Sequence, residues 1–416
     1  MIETRNVFAI ILAVMILQIA AGLLSMLTPL GLEALGTQPQ IIGVVAALHA
    51  AGFMLGAWTA PRALARLGNI RLFAAAAAVT SAGSLALSLW YEPGFWALIR
   101  ILQGVSFAYM FTSAESWLGQ AVPDRARGNV MGLYHTGAKL SLMIGPFFVA
   151  GLSPLDSRAY SWAALFLTLA LVPVCLTRQE QPEAPDRTAM PIGELYRIAP
   201  AAVIGVCVAG IVNTGTMALI PVYFEGFSLA GGGTAAAAIA GAAAWAGGLI
   251  VQWPAGRLSD RVERRLVIAV MCAISGLAAF VIALLGRALG EVGVMIVLAV
   301  WGAGALSFYG LCVAHAIDRT PPRKIPQVMS ALLFVWAAGS ILGPLLSGAA
   351  MRAAGAFGLF GVAGILLILL AFAMIWRVSR RPAPEEADQD SWSPILPTPL
   401  ASVELDPRNP EASTDS

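Results

Sequence analysis

Residues 234–286 read TAAAAIAGAAAWAGGLIVQWPAGRLSDRVERRLVIAVMCAISGLAAFVIALLG. Two apolar runs, 234–254 and 266–286, flank a short loop that is rich in arginine. A helix needs about 20 apolar residues to cross the hydrocarbon core of a bilayer. The runs are continuous and do not alternate between apolar and polar residues, which favours helices over the strands of a barrel. This stretch therefore predicts two membrane-spanning helices joined at one membrane surface.

The composition of the whole chain agrees with a membrane protein. Of 416 residues, 58% are hydrophobic and 12% are charged, and the mean hydropathy is +0.79. Soluble domains carry about 25% charged residues, so lipid must cover much of this surface. The net charge of +2 gives no reason to expect a nucleic-acid partner. The four cysteines are far apart without a CxxC spacing, so we predict no metal, disulfide or cofactor.

Apolar runs of this kind recur along the chain and predict twelve spans, numbered here in chain order. The first is longer than the apolar core of a signal peptide, and eleven similar runs follow it, so we interpret it as span 1. The runs cover 7–30, 41–60, 72–90, 95–118, 129–150, 160–177, 199–224, 234–254, 266–286, 291–315, 327–350 and 356–376.

A polar break divides the spans into two sets of six. Residues 178–198 are rich in proline and charge and are predicted to be a cytoplasmic linker. The expected domains are therefore an N-terminal six-helix bundle, 1–177, and a C-terminal six-helix bundle, 199–376. The tail, 377–416, contains proline and acidic residues with few apolar ones and is predicted to be disordered and cytoplasmic.

Basic residues in the loops predict the orientation. With both termini inside, cytoplasmic segments hold 20 of the 25 basic residues, and the outer loops hold only Arg158, Arg287 and Arg352. Such a bias predicts a multi-pass protein of the inner (plasma) membrane with cytoplasmic N- and C-termini. Tryptophans near span ends are expected to lie in the interfacial belt; they are Trp58, Trp90, Trp96, Trp253 and Trp376.

The two halves contain three echoes of one another. The end of span 1, LTPLGLE, matches the end of span 7, LIPVYFE, and PRALARLGNIR after span 2 matches GRLSDRVERR after span 8. In span 5, Gly132, Ser141 and Gly145-Pro146 have the same spacing as Ser330, Gly339 and Gly343-Pro344 in span 11. Parallel repeats of this kind are typical of transporters that are built from two six-helix halves.

On these residues the chain resembles the major facilitator superfamily. GRLSDRVERR, 256–265, is similar to the family loop pattern G-x-x-x-D-R-x-G-R-R, with Glu263 in place of the second glycine. The resemblance implies two pseudo-symmetric six-helix bundles and a conformational latch, whose residues are Gly256, Asp260, Arg261, Arg264 and Arg265. Gly256 is expected to allow close helix approach, and Asp260 to cap a helix or pair with an arginine. The first-half copy has Pro61 and Ala65 where glycine and aspartate are expected.

Other motifs extend the resemblance. RILQG, 100–104, is similar to the span 4 motif of the family. Gly145-Pro146 and Gly343-Pro344 resemble the hinge or packing motif associated with antiporters, although Val149-Ala150 replaces its final glycines. ESWL, 115–118, and HAIDR, 315–319, resemble the YcaD-type branch of the superfamily.

Ionisable residues at membrane depth are costly, by ~2.5–3.5 kcal/mol on insertion scales, and therefore indicate candidate sites. On span 4, Arg100 and Glu115 share a face but lie about 22 Å apart, at 1.5 Å rise per residue. For Glu115 the alternatives are a salt bridge to a loop arginine such as Arg71 or Arg125, or a proton-carrying or gating role. On span 5, His135 and Lys139 are four residues apart on one face, and Lys139 is expected near the midplane.

Uncharged polar residues complete the candidate substrate or proton pathway. Gln103, Asn213 and Tyr309 lie within spans and could line a cavity, although hydrogen bonds between helices are an equally good interpretation. His49 and His315 are expected to be packing residues, and Trp245, Trp301 and Trp336 are expected to pack in the core.

These observations predict a secondary transporter that moves a small solute by alternating access. No P-loop is present in the sequence, so ATP does not drive transport on this chain itself. Span 1 has Gln18 where many proton-driven exporters of the superfamily carry an acid. The deep charges are both basic, Arg100 and Lys139, so we expect an electropositive cavity for an anionic or amphipathic solute. We also expect protons as the coupling ion and a monomer in the lipid bilayer, and the antiporter-like Gly-Pro motif favours efflux over uptake. The alternatives are a transport-inactive sensor or scaffold and a membrane-embedded enzyme.

Overall fold

A computed structural model describes residues 2–122, 124–176, 190–225, 227, 232–321 and 324–380, of which 2–5, 119–121, 124–129 and 326 are described by their backbone alone. Within these ranges every regular element is a helix. The first half contains α1 (Ile2–Ala34), α2 (Pro39–Leu67), α3 (Asn69–Leu87), α4 (Pro93–Ala121), α5 (Asp124–Ile144), α6 (Ser157–Leu169) and α7 (Leu171–Cys175). A 3₁₀ helix, Gly145–Val149, extends α5.

The predicted linker, 178–198, contains a short helix, α8 (Ile192–Ile198), while its residues 178–189 lie outside the described residues; the six remaining spans follow. These comprise α9 (Pro200–Glu225), α10 (Gly233–Ser259), α11 (Arg264–Leu285), α12 (Gly290–Ala305), α13 (Phe308–Ile317) and α14 (Ile325–Arg380). The first four residues of the predicted disordered tail, 377–380, are helical because α14 continues through them, and residues 381–416 lie outside the described residues. Helices α6 and α7 together form span 6, and α12 and α13 together form span 10.

The structure confirms the twelve predicted spans. Among the described residues, ten segments are long and apolar enough to cross a bilayer. One of them, 327–380, contains both spans 11 and 12, because Ala354 and Gly355 leave helical geometry and Gly355 has φ +58°. Span 5 is the twelfth helix; its hydropathy is low because Asp124, Arg125 and Lys139 belong to the same helix.

Close contacts between glycines and neighbouring backbones repeat in the two halves. A Cβ added to Gly145 in span 5 would clash with the carbonyl oxygen of Ile19 in span 1. The equivalent pair is Gly343 in span 11 and the carbonyl of Ile211 in span 7. Small residues let membrane helices approach to this distance. The backbones then differ, because span 5 becomes 3₁₀ after Gly145 whereas span 11 stays α-helical through Pro344.

We call the end that holds Arg158, Arg287 and Arg352 the arginine-poor end, and the opposite end the arginine-rich end. The two bundles meet along a seam formed by span 2 with span 11 and by span 5 with span 8. At the arginine-poor end, Arg352 Nη1 donates to Gln40 Oε1 at 2.8 Å, and the Gly151 amide donates to Thr234 Oγ1 at 3.0 Å. Hydrogen bonds between the bundles therefore close the seam at this end.

The exposure of the five tryptophans agrees with an interfacial position at four sites and contradicts it at Trp96. Trp58, Trp90, Trp253 and Trp376 are 56–59% exposed, as side chains facing an interface would be. Trp96 is fully buried instead, with its ring edge-on to Tyr160 and its Nε1 donating to the Trp90 carbonyl at 2.8 Å. A tryptophan near a span end can satisfy its N–H within the bundle, and sequence position does not distinguish that case.

Candidate functional site

A cavity of about 400 Å³ lies between the bundles. Spans 1, 2, 4 and 5 form one wall, and spans 7, 8, 10 and 11 form the other. Its volume is within the range of small-molecule sites. The polar and aromatic side chains of the lining are Gln18, Ser25, Thr28, His49, Phe53, Arg100, Phe107, Phe111, Lys139, Asn213, Thr214, Trp245, Gln252, Ser307, Tyr309, Trp336 and Ser340.

Arg100 is a buried cation in the wall of this cavity. Its side chain is 7% exposed, and its Nη1 donates to Gln103 Oε1 at 2.9 Å. Within the described ranges no carboxylate pairs with Arg100, and its Nε has no hydrogen-bond partner. A buried guanidinium without a counter-ion is costly, and an anionic ligand would supply the missing charge.

Gln103 holds the Arg100 side chain by a hydrogen bond from outside the cavity lining. It is fully buried and does not line the cavity. Its Nε2 donates to the Thr80 carbonyl at 3.4 Å and to Ser84 Oγ at 3.3 Å, both on span 3. The amide thus connects Arg100 to a neighbouring helix, so the inter-helix interpretation describes Gln103 better than the cavity one.

His49 lines the cavity beside Arg100, although the sequence analysis favours a packing role. Its Nδ1 lies 3.1 Å from the Arg100 carbonyl oxygen. A carbonyl can only accept, so Nδ1 carries the proton in this bond, and the neutral ring has an acceptor at Nε2. The ring also contacts Phe107 edge-on, with centroids 6.0 Å apart.

Lys139 lines the cavity and joins the two bundles. It is buried on span 5, and its Nζ donates to Gln252 Oε1 on span 8. This hydrogen bond crosses the seam. His135, one turn earlier on the same helix, is also buried but does not line the cavity.

Tyr134 connects two of the predicted pathway residues, Glu115 and His135. Its hydroxyl donates to Glu115 Oε1 at 3.0 Å, and its ring lies 5.0 Å from the His135 ring, edge to face. Glu115 is fully buried and stands outside the cavity wall. Of the two arginines expected as its partners, Arg71 forms no ion pair with a described residue, and the Arg125 side chain lies outside the described residues.

The second bundle contributes uncharged groups to the cavity. Asn213 Oδ1 is buried without a hydrogen-bond partner in the described structure. Tyr309 and Trp336 lie with ring centroids 6.5 Å apart. Trp245 and Trp336 pack against the core as expected but also line the cavity, whereas Trp301 is fully buried.

Two of the predicted latch residues, Arg264 and Arg265, have partners in the second bundle among the described residues. Arg264 Nε lies 2.6 Å from Asp318 Oδ2 at the end of span 10, and its Nη1 lies 3.2 Å from Asp260 Oδ1. Arg265 pairs with Glu263, and its Nη1 donates to the Arg377 carbonyl of span 12 at 2.9 Å. Asp260 therefore pairs with an arginine, one of its two expected roles.

Comparison with known proteins identifies the family. The profile described as Major Facilitator Superfamily matches residues 10–343. The chain belongs to the major facilitator superfamily. A similar relative is "Uncharacterized MFS-type transporter YcaD" of Escherichia coli O139:H28 (strain E24377A / ETEC), 27% identical over 355 residues, which are 84% of this chain and 90% of the relative. "Uncharacterized MFS-type transporter Ent638_1421" of Enterobacter sp. (strain 638) is 26% identical over the same shares.

Solved structures support the same architecture. A bacterial homologue of the human lysosomal transporter Spinster, inward-facing and occupied, superposes with a TM-score of 0.73 at 18% identity, covering 95% of this chain and 99% of that one. A mutant of the nucleoside transporter NupG gives 0.72 at 14% identity, covering 88% and 99%. At these identities the likeness shows the fold. Together with the family match, it makes this major facilitator protein a multi-pass secondary transporter rather than an enzyme.

Proposed function

We propose that this transporter moves an anionic or amphipathic small solute by alternating access through the central cavity. The observation that carries the proposal is the charge of the lining. Arg100 and Lys139 line the cavity, and no aspartate or glutamate does so among the described residues. In a low-dielectric cavity, two cations without a carboxylate favour a negatively charged ligand.

The two walls suit different parts of such a solute. Arg100 presents a guanidinium, whose planar fork of donors matches a carboxylate or phosphate. Across the cavity, Trp245, Tyr309 and Trp336 offer aromatic faces to an apolar or aromatic portion, in addition to Phe53, Phe107 and Phe111 on the wall that holds Arg100. A solute with one acidic end and an apolar portion large enough to span the cavity would contact both bundles.

A bound anion would also act on the seam. Lys139 is held by Gln252 across the bundles, and an anion that attracts its ammonium group competes with that hydrogen bond. Binding would then weaken one contact that joins spans 5 and 8. This supports a cycle in which the solute changes the relative stability of two bundle arrangements.

Protons are the proposed coupling ion and efflux the proposed direction. Glu115, Tyr134 and His135 form a buried titratable cluster one helical turn from Lys139. The likeness of Gly145-Pro146 and Gly343-Pro344 to the antiporter motif supports proton-driven export. We further propose a monomer in the inner membrane with its arginine-rich end and both termini in the cytoplasm.

Flux into proteoliposomes tests the solute class and the direction together. We expect transport of aromatic carboxylates in preference to lipophilic cations of similar size. Proton antiport requires that an acidic lumen drive the solute into the vesicle, whereas symport would require an alkaline lumen. Preferential transport of lipophilic cations that survives neutralisation of Arg100 and Lys139 would refute the anion proposal, and uptake driven only by an alkaline lumen would refute efflux.

Glu115→Gln tests the proton role. We expect it to abolish gradient-driven flux while solute counterflow, which needs no net proton movement, stays within about twofold of the wild type. Glu194→Gln is the matched control, because Glu194 is an exposed acid outside the spans, and it should change neither rate. Equal loss of counterflow and driven flux in the Glu115 variant would show that Glu115 is structural.

A further inference from the structure

Two segments of the chain share a pattern of one tryptophan and two arginines at four-residue spacing. WTAPRALAR, 58–66, forms the end of α2, and WPAGRLSDR, 253–261, lies at the end of α10, about 195 residues later. Both fit W-x3-R-x3-R. The latch pattern itself is not shared, because Pro61 and Ala65 replace the glycine and aspartate of the second copy. The shared feature is therefore the tryptophan with its arginines.

In both segments the first arginine stacks on the tryptophan. The guanidinium carbon of Arg62 lies 5.4 Å from the centroid of the Trp58 ring, and that of Arg257 lies 4.0 Å from the Trp253 centroid. Such cation–π contacts hold a guanidinium against the ring face. The stacking restrains each side chain while its N–H groups remain available to a ligand.

The arginines of these segments are free to bind an anion. Arg62, Arg66, Arg257 and Arg261 are all exposed. None of these side chains forms an ion pair or a hydrogen bond with the residues that the structure describes. Arg264 differs: it is buried, and Asp318 and Asp260 neutralise it.

The two tryptophans lie at the depth of a membrane interface. Trp58 is roughly 29 Å of helix from Pro39, and Trp253 is roughly 30 Å from Gly233, at 1.5 Å per residue. This length matches the ~30 Å hydrocarbon core, so the arginines one turn further reach the headgroups. One turn towards the membrane centre, Leu55 and Ile250 are exposed apolar side chains that face acyl chains.

The internal repeat places the segments at equivalent positions of the two halves. Span 2 packs against span 11, and span 8 packs against span 5. Spans 2 and 8 are equivalent in the two halves, as are spans 11 and 5. Each segment thus lies at the arginine-rich end of a helix that packs against the other bundle.

We infer that each W-x3-R-x3-R segment binds the headgroup of an anionic phospholipid, giving two lipid sites per chain. The stacked arginine and the arginine one turn later would hold the phosphate from two sides, and the acyl chains would lie on the apolar surface below the tryptophan. A free phosphate ion would have no contact with that surface. The sites are independent of the solute cavity and of the proposed direction of transport.

Native mass spectrometry of the full chain in neutral detergent tests the inference with mixed phosphatidylglycerol and phosphatidylcholine. We expect the wild type to retain two phosphatidylglycerol molecules in preference to phosphatidylcholine, and millimolar inorganic phosphate not to displace them. Arg62→Gln should lower the occupancy of one site and leave the other unchanged, and Arg62→Gln with Arg257→Gln should lower the occupancy of both. The expected loss of affinity is about fivefold at each site.

Arg380→Gln is the matched control. Arg380 stacks on Trp376 at 5.6 Å, but this pair lies on span 12 and outside the repeated segments. The control should keep both lipids. Thermal unfolding should be unchanged in every variant, since these arginines are exposed and unpaired in the described structure. Equal retention by wild type and double variant, or equal retention of the two lipids by the wild type, would overturn the inference.

Discussion

Arg100→Gln is expected to lower the affinity for an anionic solute by at least about 30-fold, because losing one partner of a buried charge pair costs ~2–5 kcal/mol. The same change should leave the solute-free protein as stable as the wild type or more stable. Arg100 has no carboxylate partner in the described structure, and removing an uncompensated buried charge relieves a desolvation cost. Binding by tryptophan fluorescence and thermal unfolding with and without solute measure the two effects.

Two further variants separate charge from geometry at this site. Arg100→Lys keeps the charge but loses the planar fork and the fixed bond to Gln103, so we expect partial binding. Gln103→Ala keeps the guanidinium but removes its support from span 3, and should weaken binding less than Arg100→Gln. Loss of folding in Arg100→Gln, or unchanged affinity for every anion that the wild type binds, would contradict the assignment.

The fold could be predicted from the sequence because its signals are long and repeated. Each span is about one bilayer thickness of apolar residues, and the echoes around Gly145 and Gly343 show two equivalent halves. The structure also shows local features that hydropathy does not predict. Span 5 becomes 3₁₀ where span 11 does not, and Trp96 faces the bundle, because both depend on neighbouring helices.

The candidate site was predicted in part. The free-energy cost of placing an ionisable side chain in the membrane singles out four candidates, Arg100, Lys139, Glu115 and His135. That cost does not show which of them faces the cavity. The structure places Arg100 and Lys139 in the wall and the other two outside it, because helix rotation depends on packing with distant spans.

The internal repeat contains a further signal for the cavity. Equivalent positions of the two halves both line it, as in Ala21 with Asn213, Ala50 with Trp245, and Lys139 with Ala337. In each of these pairs an alanine lines the cavity in one half and a polar or aromatic side chain lines it in the other. The two halves therefore contribute different chemistry at equivalent positions.

The same repeat shows that the two halves differ in the contacts that hold the loop after span 2 and the equivalent loop after span 8. In the second half, Arg264 ties the loop after span 8 to Asp318 of span 10, with both side chains only 2% exposed. In the first half, Ala65 stands where Asp260 would be, so this copy lacks a carboxylate at that position. The second bundle should accordingly depend more on its loop for stability.

Asp318→Ala is expected to lower the free energy of unfolding by ~3 kcal/mol or more, because it leaves Arg264 buried without its closest carboxylate. Asp260 and Ser259 still contact Arg264, at 3.2 and 3.1 Å, but Asp260 is 30% exposed and compensates only partly. The stability of Asp318→Asn should fall between that of the wild type and that of Asp318→Ala, since it keeps a hydrogen-bond acceptor.

The matched control is Glu194→Ala, which breaks an exposed pair with Lys324 (43% and 47% exposed) and should cost less than ~1 kcal/mol. Chemical unfolding in mild detergent measures all three. Equal losses for Asp318→Ala and Glu194→Ala would mean that the buried pair contributes no more than a surface pair, and that the second bundle does not depend on this loop.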